Sequence, residues 1–276
     1  MSRSLWCLRV CVLDAQTITV NTDRDDFNTP SGTSVSLREA IRDANEDPTA
    51  NDVVVFDSSL SGQTIRITKG TLDIDKNLTI DGSGLPDGIR ISGDVNQNGE
   101  LDGGDKRVFR VGSGHTVEFK NVHIHGGFGQ KALFVSTSDD GGGILNDGGF
   151  ITITGSTFSG NGAKQHGGGI FNDNNGTIDL INSTLVDNEA SDQGGGLFNN
   201  GGTVTLNHGT VSGNSATNDG GGLFNDQGTV TIRNTIFGNN GSDIDINGGT
   251  LNTTGVNIVA LRQVCWMESC RNFNHA

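Results

Sequence analysis

A glycine triplet followed by Ile or Leu and closed by Asn occurs four times in this chain, at almost constant spacing. Gly141-Gly142-Gly143-Ile144-Leu145-Asn146 returns as Gly167-Gly168-Gly169-Ile170-Phe171-Asn172. It returns again as Gly194-Gly195-Gly196-Leu197-Phe198-Asn199 and Gly220-Gly221-Gly222-Leu223-Phe224-Asn225. The triplets start at 141, 167, 194 and 220, so the spacings are 26, 27 and 26. A unit that short cannot bury its own apolar face, so the period dictates stacking of one unit on the next.

Two further landmarks share the period. The first is an apolar–polar alternation: Ile151-Thr152-Ile153, Ile178-Asp179-Leu180, Val204-Thr205-Leu206 and Val230-Thr231-Ile232. Alternation of this kind marks a strand with one inward face. The second runs from Phe158 to Asn161, Leu185 to Asn188, Val211 to Asn214 and Ile236 to Asn239. Each repeat therefore holds three short strands separated by Gly, Asn and Asp. If each repeat is one coil of a solenoid, equivalent strands pair in parallel, roughly 4.8 Å apart. Ile153, Leu180, Leu206 and Ile232 then form one inward column, and Ile144, Ile170, Leu197 and Leu223 a second. The recurring asparagines suit turns and hydrogen-bonded stacks. The triplets suit tight turns; no helix follows them, so a phosphate cradle is a poor fit.

The expected fold is all-β: a parallel β-helix spanning 17–260, with regular repeats over 141–246. Right-handed crossovers are the general preference for parallel strands. From about 64 to 258 the period predicts about seven coils, a rod roughly 35 Å long. Ser36 to Asn45 is the one convincing helix, expected over about 36–46. Ser36 and Glu39 make an S-x-x-E capping box, and Leu37, Ala40, Ile41 and Ala44 share one face. An open solenoid end needs a cover, and this helix is the expected cap. Residues 1–16 read as the remnant of a secretory leader, ending near Ala15. Residues 261–276 depart from the repeats in composition. They read either as a cap carrying Trp266 or as a foreign tail, and an abrupt stop there also fits a fragment of a longer chain.

Val35-Ser36-Leu37-Arg38-Glu39-Ala40-Ile41, followed by Ala44-Asn45, resembles the signature that opens many bacterial extracellular β-helix proteins, the CSLREA domain. Val35 stands where that signature has Cys. The triplets and the Phe158-to-Asn161 motif resemble the repeats of polymorphic outer-membrane proteins, which pair a GGAI-like motif with FxxN. The resemblance covers about 17–259. It implies a right-handed parallel β-helix that is secreted or displayed on a cell surface, and it carries over no catalytic residue.

Among 276 residues the net charge is −14, which argues against nucleic acid and anionic membranes as partners. No run of 18 apolar residues is present to span a membrane. Cys7, Cys11, Cys265 and Cys270 all lie outside the repeats, so no disulfide staples the core, and their spacing is not that of a zinc site.

The sharpest chemical motif is 94–105. Asp94, Asn96, Asn98, Glu100, Asp102 and Asp105 occupy positions 1, 3, 5, 7, 9 and 12 of a calcium loop, with Gly99 at position 6 and a carbonyl expected from position 7. It looks most like a dockerin-type loop. Its flanks, Ile89–Ile91 and Val108–Val111, read as strands rather than helices, so the loop is expected as an insertion holding a structural calcium. A second candidate set precedes the triplets: Asp140, His166, Gln193 and Asp219, with Asp139, Lys164 and Asp192 nearby. Clustered carboxylates and a basic residue would suit acid–base chemistry on a polysaccharide; polar loop residues recur on every coil regardless. The third set is His115, His123 and His125, the last two on one strand face, as a metal site or an outward strand face. Aromatic residues make up only 5 %, a poor supply for stacking sugars. The expected function is therefore adhesion or binding of a polysaccharide or cell-surface ligand. The alternative is a polysaccharide lyase, epimerase or hydrolase.

Overall fold

The computed structural model describes residues 15–27, 33–47, 51–129, 139–259 and the backbone of 264–266. The leader-like segment up to residue 14, Cys7 and Cys11, and the tail apart from that short backbone lie outside the described residues, so the two readings of Trp266 are left where the sequence put them.

Three long parallel sheets and a short fourth make a parallel β-helix. Sheet I stacks nine strands, from Thr17–Val20 and Asp52–Phe56 to Thr250–Thr254. Sheet II stacks eight, from Thr64–Arg66 and Ile89–Ser92 to Ile258–Val259, so seven turns separate its ends, as the period predicts. Sheet III also has eight, from Leu72–Ile74 to Val264–Trp266. Sheet IV holds four two-residue strands, beginning at Phe128–Gly129.

The expected inward columns are in register. Ile153 pairs with Leu180, Leu180 with Leu206 and Leu206 with Ile232. Ile144, Ile170, Leu197 and Leu223 align the same way, and all eight side chains are buried in one continuous core. Between sheets I and II the chain turns on single left-handed residues: Asn121, Gly155, Asn182, His208 and Asn234 all have φ between 47° and 60°. Asn suits that conformation because its short polar side chain bonds locally.

Two asparagine ladders run through the interior. Asn146 donates to Asn172, Asn172 to Asn199 and Asn199 to Asn225, each at 2.7 Å. Each Nδ2 also donates to a turn carbonyl on its own coil. The second ladder joins Asn161, Asn188, Asn214 and Asn240 at 2.9–3.0 Å. The last member corrects the expected column, which ended at Asn239. Val211 pairs with Phe237, not Ile236, so Phe237 points into the core and Ile236 is 46 % exposed. A one-residue slip exchanges the two faces of a strand, and Ile236-Phe237 followed by Asn239-Asn240 offers both registers to a sequence reading.

The helix spans Leu37–Glu46, and both halves of the Ser36–Glu39 capping box are formed. Leu37, Ala40, Ile41 and Ala44 bury into the main core. The helix closes the first coil through side chains. Asn45 Nδ2 donates to Asp73 O at 2.9 Å, and Asn45 Oδ1 accepts from Asp75 N at 3.0 Å. Arg38 donates to Gly70 O and Thr71 O, and it grips Asp25 with two nitrogens at 2.7 and 3.1 Å. The edge strand Leu72–Ile74 thus finds amide and guanidinium partners in place of another strand.

A feature absent from the sequence reading is a second apolar cluster of Leu145, Phe171, Phe198 and Phe224 on the outer side of sheet III. The glycine triplets explain its burial. The first glycine of each has φ of 62–68°, and a Cβ on the second would meet backbone oxygen or nitrogen at 2.1–2.8 Å. Only glycine lets the chain fold back this tightly over the phenylalanine column. The signal for it was the Ile-Phe or Leu-Phe pair after each triplet, which breaks alternation and so requires two buried faces.

Candidate functional site

The 94–105 loop lies between a sheet II strand, Ile89–Ser92, and a sheet III strand, Phe109–Val111. On later coils that place is taken by sheet IV. Asp94 caps the loop's interior: Oδ1 accepts from Gln97 N at 2.6 Å and Oδ2 from Gly99 N at 3.0 Å. Gly99 has φ 73°, the left-handed turn its position demands. Asp105 is fully buried, and its carboxylate accepts from Val95 N at 3.2 Å and Asp102 N at 2.9 Å. Asn96 Nδ2 and Asn98 Nδ2 both donate to Asp102 Oδ2, at 2.8 and 3.2 Å. Burial and the nearby carboxylates of Asp102 and Asp94 raise the Asp105 pKa above the ordinary range. The Gly104 N–H and the Asn96 and Asn98 amides lower that of Asp102. The Asp94 and Asp102 carboxylates both act on Asp105, so three acidic side chains share one short loop. The Glu100 side chain makes no hydrogen bond among the described residues. Among the described residues no group of three or more His, Cys, Asp or Glu side chains is arranged to hold a metal ion. A cation here would therefore draw on Asn and carbonyl oxygens as well, the donor chemistry calcium accepts.

The second candidate set is drawn together in part. His166 Nδ1 lies 2.9 Å from Asp140 Oδ1, and its Nε2 lies 3.2 Å from Asp192 Oδ2. Asn218 Nδ2 donates to Asp192 Oδ1 at 2.6 Å. Residues 140, 166, 192 and 218 form one ladder across four coils. The ladder therefore leaves the position before the triplet after His166, passing to Asp192 and Asn218 rather than to Gln193 and Asp219. No hydrogen bond or ion pair joins Lys164 or Asp219 to His166 among the described residues. The Phe198 ring centroid lies 4.7 Å from that of His166 and the Phe171 centroid 6.1 Å, so the imidazole also packs against the side of the phenylalanine column. Burial disfavours the charged imidazole, but the hydrogen bond and charge of Asp140, with Asp192 behind, outweigh it and raise the His166 pKa. Buried Arg107 supports this corner by donating to Asp140 O and Gly141 O, and burial lowers its pKa to about 10.

His123 and His125 share the outer face of sheet II, rings 5.1 Å apart. His123 Nε2 lies 2.6 Å from Ser159 Oγ. Burial, His125 and Arg90 push the His123 pKa down to about 4, so the ring is neutral at pH 7. His115 lies on the sheet III–sheet I turn, before Thr116–Lys120, apart from this pair. A groove of about 400 Å³ lies beside His123, under the loop that carries Ser83 and Asp87. Nothing in the sequence marked this groove, because its walls come from three successive coils of different loop length.

No protein-family model matches the chain, and no curated protein matches it. Among the described residues no helix is long and apolar enough to cross a membrane.

Proposed function

We propose that this protein is a secreted or surface-displayed binding module, a rigid β-helix that presents polar sheet faces to a polysaccharide or cell-surface ligand. The observation that carries this reading is where the chemistry-bearing side chains are spent. Both nitrogens of His166 are engaged between coils, the interior asparagines are consumed in ladders, and Phe171, Phe198 and Phe224 are buried. The outer face of sheet I instead presents a column of Thr177, Thr203, Thr229 and Thr250 in register. The resemblance of the 35–45 segment to the CSLREA signature, and of the triplets to polymorphic outer-membrane repeats, supports an extracellular setting.

A structural calcium ion belongs to this reading. Asp94, Asn96, Asn98, Asp102 and Asp105 would hold it, with the Glu100 carbonyl, and the ion would offset the charge that three close carboxylates build up. Calorimetric titration with calcium tests this on the wild type and on the double variant Asp94→Ala/Asp105→Ala. Saturable binding that the double variant loses supports the site; a wild type that takes up no calcium removes it. A glycan-binding screen with and without calcium tests the module itself.

The alternative, a carbohydrate-active enzyme, has one observation in its favour: an imidazole between two carboxylates, half-buried, is suitable acid–base equipment. Cleavage of an acidic polysaccharide that His166→Asn abolishes would establish it.

A further inference from the structure

Three arginines of this acidic chain bind aspartates. Arg38, Arg42 and Arg110 each form an ion pair. Arg66 and Arg90 form none among the described residues, and they stand close together on the outer face of sheet II. Thr64 pairs with Arg90 and Arg66 with Ser92; on the next strand Arg90 pairs with His123 and Ser92 with His125. Two guanidinium groups and two imidazoles therefore occupy one patch of three adjacent strands. The two imidazoles are held toward the neutral form, so the positive charge of the patch is that of the guanidinium groups, whose forked donors suit an anion.

The patch opens onto the groove. Sheet I passes to sheet II through one or two residues on the coils from Asn121 to Thr235, but an earlier coil takes the longer path Gly82–Gly88. That loop overhangs the shorter corners of the next two coils. Ser83 and Asp87 stand on the wall, Asn121 and Gly155 at the corner, and Arg90, His123 and Thr157 on the strand side. Gly155 keeps the corner open, since a Cβ there would stand 2.4 Å from Asn121 Oδ1. Arg90 is exposed and uses one N–H, to Gly62 O at 3.1 Å, which leaves most of its five donors available. His123 Nε2 is taken by the Ser159 hydroxyl, which leaves its Nδ1 for a ligand. Asp87 is held by Ser61 at the far wall, its carboxylate accepting from the Ser61 hydroxyl.

We infer that this groove binds an acidic glycan, with a carboxylate or sulfate on Arg90, Arg66 standing behind it on the neighbouring strand, and sugar hydroxyls on Asn121, Thr157 and Ser83. The inference rests on the binding-module reading and names its ligand class and place. A fork of N–H donors matches either anion, and the mixed hydroxyl and amide lining matches a hydroxylated chain better than a bare ion.

The test is binding of three probes to the full chain: oligogalacturonate, sulfated dextran oligosaccharide and neutral dextran. The expected result is saturable, salt-sensitive binding of at least one acidic probe and none of neutral dextran. Arg90→Ala should weaken it about tenfold or more, as loss of a charge-assisted hydrogen bond implies. Arg66→Ala should weaken it less. Arg90 is exposed, so its removal leaves the core intact, and Arg233→Ala on sheet I is the control of equal charge change. Binding of oligogalacturonate alone assigns a carboxylate, and of the dextran sulfate alone a sulfate. Acidic-glycan binding that Arg90→Ala leaves unchanged overturns this site while sparing the binding module. Failure of every acidic probe on the wild type overturns the proposal, and success of some other glycan in the wider screen would then keep the module alone.

Discussion

His166 and Asp140 sit one coil apart, and the imidazole Nδ1 meets the carboxylate at 2.9 Å while Nε2 reaches on to Asp192. The pair stitches three coils together at a place where the backbone alone supplies an isolated bridge, His166 to Gln193. Its raised pKa has a thermodynamic consequence. A group whose folded pKa exceeds its unfolded value, here about 6.5, stabilises the fold below that value, and the gain vanishes as pH rises through the folded pKa. Thermal melts between about pH 5 and about pH 9 should show His166→Asn losing stability at the acid end and little at the alkaline end. A pH-independent loss would make this ladder a packing contact only.

His123 carries the opposite sign. Its pKa is pushed to about 4 by burial, by His125 and by Arg90. His125 is itself depressed by burial, Arg90 and Arg66, with Asp94 opposing. Neutral imidazoles suit the fold above about 6.5, and stability should drain away as pH falls toward about 4. His123→Asn should flatten that acid limb in the same melts. An acid limb as steep as the wild type's would place its cause in other groups.

The asparagine ladders make a prediction about the interior. Asn199→Ala strands one N–H of Asn172 Nδ2 and the Asn225 Oδ1, both deep in the coil. Each unmet buried group costs roughly 1–3 kcal/mol, so denaturant unfolding should show a loss of about 3 kcal/mol. Asn200→Ala, one residue on and exposed, should cost well under about 1 kcal/mol. Equal losses at the two positions would mean the ladder is not continuous.

Register at the last regular coil is testable by a pair of truncations. Phe237→Ala empties a buried site and should cost about 3–5 kcal/mol. Ile236→Ala trims an exposed side chain and should cost under about 1 kcal/mol. The reverse order would falsify the pairing of Val211 with Phe237.

Calcium affinity should fall with acidity, because the ion must displace protons from Asp105, whose pKa burial and its neighbours raise. Calorimetry should find binding weaker near about pH 4 than near about pH 7. An affinity unchanged over that interval would show that Asp105 is not a ligand.

Much of the fold was legible in the order of residues. A 26-residue period, alternation at Ile151–Ile153 and its equivalents, and S-x-x-E before Leu37 each depend on local geometry or on a repeat that stacks on itself. Those determined a capped parallel β-helix, its inward columns, and the place of the 94–105 insertion. What only the tertiary structure decided is which neighbours meet across coils. Asn240 rather than Asn239 continues the ladder, because register follows from burying Phe237. His166 finds Asp192, because adjacent loops of slightly different length shift the contact by one residue. His123 and the 82–88 overhang share a groove although more than 30 residues of chain separate them. Spacing along the chain specifies a face; it does not specify which loop on the neighbouring coil will stand above it, and that is set by packing.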